Sequence, residues 1–188
     1  MKNICVYCGS SPGSRVEYAE GAKALARALV ANNLGLVYGG SNLGLMGIVA
    51  QEVLDQGGTA VGVIPEQLVT KELAHPALTE LFITRNMHER KARMAELSDG
   101  FIALPGGLGT FEELFEILTW GQLSFHSKPV GVLNVNGYYD GLLSFLNHAH
   151  SEAFIRTQHR NMLMSATCPV QLLDDFKAYE APAVVKWV

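Results

Sequence analysis

Short apolar runs alternate with longer amphipathic segments along the chain, and this alternation constrains the fold more than any other feature of the sequence. The runs are apolar at successive positions, a pattern that is typical of strands buried on both faces. They cover residues 4–8, 35–38, 60–64, 81–84, 101–104 and 129–134. Strands that alternate with helices predict an α/β fold, here a Rossmann-like open parallel sheet with helices on both faces.

The segments between the strands show helical periodicity. Helices are predicted at 17–31, 44–56, 86–97, 110–123, 138–153 and 169–178. Residues 66–76 lack clear periodicity and predict a loop with a helical turn, and residues 158–166 are predicted to be a loop. No linker, repeat or low-complexity stretch divides the chain, so we expect a single domain over residues 1–188.

Charge and composition argue against several classes of protein. The net charge is −4 and the isoelectric point is about 5.8, so no global basic field suggests a nucleic-acid partner. No apolar run approaches the roughly 18 residues of a membrane span, and no signal peptide precedes the first strand, so a cytoplasmic location is predicted. One basic cluster stands out, because Arg85, Arg90, Lys91 and Arg93 fall within nine positions.

The cysteines and histidines predict neither a disulfide framework nor a metal site. Cys5 and Cys8 form a C-x-x-C pattern inside the first predicted strand. Side chains three apart on a strand point to opposite faces, so we expect two small core side chains rather than a metal or redox pair. The six histidines, including the pair His148 and His150, show no ligand spacing, and we expect no metal.

Glycine-rich turns follow the first, second and fifth predicted strands, at the carboxyl edge of the sheet where ligands bind. The turn at 104–113 joins a strand to a helix, whose free N–H groups suit a phosphate. Leu45 and Met46 replace the lysine and Ser/Thr of a Walker A loop. Glu112 replaces the third glycine of a dinucleotide fingerprint. A single phosphate, as in a nucleoside monophosphate, fits this loop best.

Glu113 has two interpretations. Thr110 and Glu113 have the spacing of a capping box, in which each side chain binds an orphan N–H at the helix start. On a helical wheel, however, Glu113 lies between Ile117 and Trp120 on an apolar flank. A carboxylate held there, at the carboxyl edge of a strand, is a candidate for acid–base work or for stabilising a cation.

Arg90 also has two interpretations. It lies in the middle of an apolar stripe made by Met87, Met94 and Leu97. A buried charge needs a partner, so one reading is a structural ion pair with a carboxylate. The other is an arginine that faces the phosphate or sugar of a ligand, with Lys91 as a second cation.

Two motifs together resemble the LONELY GUY (LOG) family. Residues 105–113 match PGGxGTxxE, with Leu108 at the variable position, and residues 87–91 read MHERK. Residues 8–11, 39–47 and 128–131 also match, so the resemblance covers about residues 4–180. It implies hydrolysis of the N-glycosidic bond of adenine-type (cytokinin) nucleoside 5′-monophosphates, which gives a free base and ribose 5-phosphate, and it implies no cofactor.

The resemblance assigns roles to residues of this chain. Arg90 and Glu113 are the expected catalytic residues. The expected substrate-binding residues are Ser10, Gly40, Met87, Lys91, Gly106, Gly107, Leu108, Gly109, Thr110, Phe111, Glu112 and Thr119. A homodimer is also implied, with the site near the subunit interface. Candidate interface side chains are Leu114, Phe115, Leu118, Trp120, Leu123, Tyr138, Tyr139 and Phe145.

Three alternatives stay open at this point. One is a general AMP or nucleoside monophosphate nucleosidase of salvage, because one sequence does not fix the base. Another is a carrier that binds a nucleotide or cofactor without turnover. The third is a lysine decarboxylase, which needs pyridoxal phosphate and a Schiff-base lysine. Only Lys91 has a context that could supply that lysine.

Overall fold

Seven parallel strands form one sheet in the computed structural model, which describes residues 1–69 and 74–182. The strands are β1 Asn3–Tyr7, β2 Gly35–Tyr38, β3 Ala60–Pro65, β4 Glu80–Thr84, β5 Gly100–Ala103, β6 Val130–Leu133 and β7 Leu163–Ala166. Their order is β4-β3-β2-β1-β5-β6-β7, and every pairing is parallel. The predicted α/β fold with an open parallel sheet is confirmed.

Helices connect the strands and cover both faces of the sheet. They are α1 Val16–Ala31, α2 Gly44–Asp55, α3 Glu66–Val69, α4 Met87–Leu97, α5 Leu108–Gln122, α6 Asp140–Ser151, α7 Thr157–Arg160 and α8 Pro169–Lys177. One buried apolar cluster packs under α1, α2 and α8, and a second packs under α4, α5 and α6. Cys8 belongs to the first cluster and Cys5 to the second, so the predicted split of the C-x-x-C pair between two faces is confirmed.

The predicted loop at 158–166 is wrong, because it contains both α7 and the edge strand β7. The four residues of β7, LMSA, carry no β-branched side chain and give little local strand signal. Their conformation is fixed by pairing with β6, in which Val130 aligns with Leu163. In the segment 66–76, α3 provides the predicted helical turn, and residues 70–73 lie outside the described residues.

The topology brings three glycine turns together. The chain leaves β1 toward β2 on one side and returns to β5 on the other, so the strand order reverses beside β1. Ligands of open α/β sheets bind at the carboxyl ends of the strands at such a reversal. Hydrogen bonds tie these turns to one another, because the Gly9 N–H donates to the Pro105 carbonyl at 3.1 Å and the Leu45 N–H donates to the Gly9 carbonyl at 3.0 Å.

No helix within residues 1–69 and 74–182 is both long and apolar enough to span a lipid bilayer.

Candidate active site

A cavity of about 340 Å³ opens at the reversal point of the sheet. Its lining residues are Cys8, Gly9, Ser10, Met46, Leu68, Met87, Arg90, Gly107, Leu108, Gly109, Thr110, Glu112 and Glu113. Nine of these were predicted as site residues: Ser10, Met87, Arg90, Gly107, Leu108, Gly109, Thr110, Glu112 and Glu113. The structure therefore brings both expected catalytic residues and most of the glycine loop into one space.

The helix α5 begins inside this cavity. Gly107 is its N-cap residue, with extended backbone angles and no side-chain cap hydrogen bond. The predicted capping box of Thr110 and Glu113 is therefore wrong, since Thr110 lies within the first turn rather than before it. The first turn of an α-helix leaves N–H groups without partners in the helix, and these groups favour an anion. This helix start is suited to a phosphate.

Thr110 packs tightly beneath the loop. Its side chain is buried, and a Cβ placed on Gly106 would lie 2.1 Å from the Thr110 Oγ1 atom. Only a glycine at position 106 allows this approach, since real Cβ atoms do not come that close to a neighbour. The loop and the first turn of α5 are thus fixed against each other.

Arg90 is buried and anchored to two strands. Its Nε atom donates to the Val63 carbonyl at 3.1 Å, and its Nη2 atom donates to the Gly39 carbonyl at 3.4 Å. A Cβ on Gly39 would lie 2.1 Å from Nη2, so glycine makes room for the guanidinium. Arg90 therefore reaches the cavity with its orientation already set by the backbone of β3 and by the residue that follows β2.

Glu113 faces Arg90 across the cavity wall. The Glu113 Oε1 atom lies 3.9 Å from the Arg90 Nη2 atom, and the two side chains are 12% and 7% exposed. The predicted position of Glu113 on an apolar flank is confirmed, and so is the predicted ion pair of Arg90. The separation is at the long end of an ion pair, which leaves both groups able to contact a ligand in the cavity.

The pKa of the Cys8 thiol is influenced by both members of this charge pair. Burial raises the pKa of Cys8, the Glu113 carboxylate raises it further, and Arg90 lowers it by less. Cys8 therefore stays protonated at neutral pH and contributes a small, neutral wall to the cavity.

Lys91, next to Arg90 in the chain, has different partners. Its Nζ atom lies 2.5 Å from a Glu112 carboxylate oxygen and 2.9 Å from a Glu116 oxygen. Burial lowers the pKa of Lys91, and the hydrogen bonds to these two carboxylates raise it by more, so the ammonium is held charged. Lys91 is not among the residues that line the cavity, and it joins α4 to α5.

Four other predicted binding residues also lie outside the cavity lining. Gly106 lies behind the loop against Thr110, and the Phe111 ring packs edge-on against Tyr139. The Thr119 hydroxyl donates to the Phe115 carbonyl one turn earlier. The carbonyl of Gly40 accepts a hydrogen bond from a backbone N–H at 3.0 Å.

Four lining residues were not predicted from the sequence as site residues, namely Cys8, Gly9, Met46 and Leu68. The first three belong to glycine-turn motifs that end β1 or begin α2, so the motifs themselves could have indicated them. Leu68 lies in the short helix α3, where the sequence has no periodicity and gave no signal. In the described part of the chain, no group of three or more His, Cys, Asp or Glu side chains is arranged to hold a metal ion.

This geometry defines a class of protein. A Rossmann-like sheet carries, at its reversal point, the open start of a helix and a buried arginine–glutamate pair. These features suit a ligand with one phosphate and a group that reacts near a carboxylate, as in a nucleotide-binding enzyme.

Comparison with known proteins identifies the family. Residues 46–176 match the model of a family described as "Possible lysine decarboxylase". A cytokinin riboside 5′-monophosphate phosphoribohydrolase of Arabidopsis thaliana is 48% identical over 179 residues, which cover 95% of this chain and 84% of that protein. A second one from the same plant is 49% identical over 176 residues, 94% of this chain and 82% of that protein. The chain belongs to the LONELY GUY (LOG) family.

Solved structures share the fold. The molybdenum cofactor binding protein of Rippkaea orientalis aligns with a TM-score of 0.70 at 23% identity, over 95% of this chain and 97% of that one. The molybdenum cofactor carrier protein of Chlamydomonas reinhardtii aligns with a TM-score of 0.71 at 20% identity, over 94% and 96% of the two chains. At this level of identity the likeness concerns the fold alone.

Proposed function

We propose that this protein hydrolyses the N-glycosidic bond of adenine-type nucleoside 5′-monophosphates of the cytokinin class, and releases the free base and ribose 5-phosphate. The observation that carries the proposal is the Arg90–Glu113 pair, 3.9 Å apart, beside the open start of α5. Relatives that are 48% and 49% identical are described as cytokinin riboside 5′-monophosphate phosphoribohydrolases, which supports the same reaction here.

The start of α5 provides the phosphate grip in this proposal. Gly107, Leu108 and Gly109 line the cavity at the positive end of the helix dipole. A phosphate held there is remote from the bond that breaks, so its binding energy is used to place the ribose C1′ atom against Glu113.

Glu113 acts on the reacting atoms. Cleavage of an N-ribosyl bond passes through a cationic, oxocarbenium-like state. Water adds to C1′ as the bond from C1′ to the base nitrogen breaks, and the electron pair leaves with the base, which takes up a proton. A carboxylate beside C1′ lowers the energy of the cation or accepts the proton of the attacking water. Arg90 orients the substrate and balances the charge of Glu113.

Pyridoxal phosphate does not fit the residues of this site, although the matched family description names a decarboxylase. The cofactor needs a lysine for its Schiff base. The Lys91 ammonium is bound to Glu112 and Glu116, and among the described lining residues the cation is Arg90, with no lysine.

A homodimer completes the proposal. Phe115 and Leu108 are exposed seven residues apart on one face of α5, and Phe145 is exposed on α6. Leu108 also lines the cavity. A second copy of the chain that covered this face would therefore border the site. Of the other candidate interface side chains, Leu114 and Tyr139 are buried in the core. Light scattering that gave the mass of one chain would exclude the dimer.

The cysteines support a cytoplasmic location. Cys5, Cys8 and Cys168 are all free thiols, two of them buried. Free thiols without disulfides are typical of a reducing compartment.

A substrate panel tests the proposed function. The protein is incubated with AMP, its N6-isopentenyl derivative, other nucleoside monophosphates and adenosine, and free base is measured by chromatography. We expect base from the adenine-type monophosphates, fastest from the isopentenyl derivative, and very little from adenosine. Faster release from AMP would favour a nucleosidase of salvage. Binding of the nucleotides without release of any base would overturn the proposal and favour a carrier.

A further inference from the structure

Three successive carbonyl groups of the glycine loop are held from outside the loop. The Leu104 carbonyl accepts a hydrogen bond from the Tyr139 hydroxyl at 2.7 Å. The Pro105 carbonyl accepts one from the Gly9 N–H at 3.1 Å. The Gly106 carbonyl accepts one from the Tyr138 hydroxyl at 2.5 Å. Three consecutive peptide planes between β5 and α5 are therefore each held by a separate donor.

Tyr138 reaches the loop from outside the cavity that holds the catalytic pair. It borders a second cavity of about 230 Å³ that shares Gly9, Ser10 and Gly107 with the first, whereas Arg90 and Glu113 line only the first cavity. The Tyr138 ring packs edge-on against Tyr139, with centroids 5.1 Å apart. A second edge contact with the Tyr18 ring, at 5.6 Å, fixes the ring further. Tyr138 is not among the residues that line the first cavity, and its hydroxyl donates to the backbone of the loop.

The geometry of a peptide bond links this hydroxyl to the cavity. In a trans peptide, the C=O of one residue and the N–H of the next point in opposite directions, and the described residues contain no cis peptide. A Gly106 carbonyl that is held toward Tyr138 therefore directs the Gly107 N–H away from Tyr138. Gly107 lines the first cavity as the N-cap residue of α5.

Tyr139 provides a natural contrast. Its hydroxyl holds the Leu104 carbonyl, but the next residue is Pro105, which has no N–H. The bond from Tyr139 therefore stabilises the end of β5 without aiming any donor. The two adjacent tyrosines make similar hydrogen bonds to the same loop, and only one of them can orient a donor toward a ligand.

We propose that Tyr138 is a positioning residue for phosphate recognition, which acts through the Gly106–Gly107 peptide. This proposal rests on the proposed function, because it takes the ligand of the loop to be the 5′-phosphate. The oriented N–H lowers the cost of binding, since the donor is in place before the phosphate arrives.

The test compares Tyr138→Phe with Tyr139→Phe. Both variants keep the aromatic ring and lose one hydroxyl. Isothermal titration calorimetry measures the dissociation constant of ribose 5-phosphate, and steady-state kinetics measure KM and kcat for the monophosphate and for the nucleoside without phosphate. We expect Tyr138→Phe to raise the dissociation constant and KM for phosphate-bearing ligands about fivefold, the value of one hydrogen bond, with kcat nearly unchanged.

Turnover of the nucleoside should not change in Tyr138→Phe, because that substrate has no phosphate to bind. We expect Tyr139→Phe to leave both constants within about twofold of the wild type and to lower Tm by about 3 °C. If Tyr138→Phe bound ribose 5-phosphate as tightly as the wild type, the positioning role would be overturned. Release of base by the wild type would then leave the proposed reaction in place. If the wild type released no base but Tyr138→Phe still bound ribose 5-phosphate more weakly than the wild type, only the proposed reaction would be overturned. Failure of the wild type to bind ribose 5-phosphate would overturn both.

Discussion

Arg90 and Lys91 are adjacent on α4, and both are buried cations, yet their surroundings differ in kind. Arg90 donates to the backbone carbonyls of Val63 and Gly39 and lies 3.9 Å from its nearest carboxylate, that of Glu113. Lys91 lies within 2.9 Å of two carboxylates. Arg90 therefore has a long ion pair at the cavity, and Lys91 is matched by two close carboxylates.

The difference shows that burial alone does not identify a functional charge. A buried cation that is matched by two carboxylates has its interactions satisfied inside the protein, so it contributes to architecture. A buried cation that donates to neutral carbonyls and lies 3.9 Å from a carboxylate is only partly matched inside the protein, so it can still interact with an anionic ligand. By this criterion we expect Arg90 to take part in the chemistry, and we expect Lys91, which bridges α4 to Glu112 and Glu116 of α5, to act mainly in stability.

Of the two cations, Arg90 is expected to give the larger effect on activity. Arg90→Lys keeps the charge but loses the planar fork that spans Val63, Gly39 and the cavity, so we expect kcat/KM to fall about 10²- to 10³-fold. Circular dichroism and Tm would monitor folding, since removing the bonds to two buried carbonyls costs about 1–3 kcal/mol. A folded Arg90→Lys variant with activity near that of the wild type would remove Arg90 from the chemistry.

A smaller effect on activity, with a clear effect on stability, is expected at Lys91. We expect Lys91→Met to lower the free energy of unfolding by about 1–2 kcal/mol, between the values for exposed and buried ion pairs, because Glu112 is 54% exposed. Its kcat should fall less than about tenfold, since the catalytic pair remains. Urea denaturation and kinetics on the same sample measure both. A loss of activity as large as that of Arg90→Lys would erase the distinction between the two cations.

The pH dependence of this variant sharpens the comparison. Burial lowers the folded-state pKa of Lys91, but Glu112 and Glu116 together raise it by more, so the pKa is raised overall. Its stabilisation is therefore complete below the unfolded pKa of about 10.4 and is lost as the pH rises through the folded value. The stability gap between the wild type and Lys91→Met should be constant from pH 7 to 9 and should narrow at higher pH. A gap that widened there would contradict the assigned charge.

The smallest effect concerns Cys8, whose thiol reports on Arg90 and Glu113. Because burial and Glu113 raise its pKa, the folded protein should react with a maleimide at Cys168, which is exposed, and not at Cys8 or Cys5. Mass spectrometry should find one label in the native protein and three after denaturation. Rapid native labelling of Cys8 would mean that the field of Arg90 prevails at the cavity wall.

Sequence patterns predicted those features that depend on local periodicity. The stripe around Arg90 predicted its burial, and the helical wheel of α5 predicted that Glu113 lies on an apolar flank. The alternation of strands and helices predicted the sheet. These features follow from the periods of helices and strands, which any single segment displays.

Features that depend on distant parts of the chain were not predicted. The capping box at Thr110 matched a local signature, but the chain begins α5 at Leu108, where the loop packs against Gly9. The carboxylate partners of Lys91 follow from the packing of α4 on α5. The strand β7 forms because β6 presents an open edge. Each of these depends on tertiary contacts that the residues themselves do not encode locally.

The central claim is that Glu113 acts on the reacting bond, and Glu113→Gln tests it most directly. The substitution keeps the size of the side chain and one acceptor oxygen but removes the charge. Glu116→Gln, one turn along α5 and bound to Lys91, is the matched control. We expect Glu113→Gln to lower kcat about 10³-fold or more, with the dissociation constant of AMP within about threefold of the wild type. The control should keep kcat within about threefold. Turnover by Glu113→Gln close to that of the wild type would contradict the account.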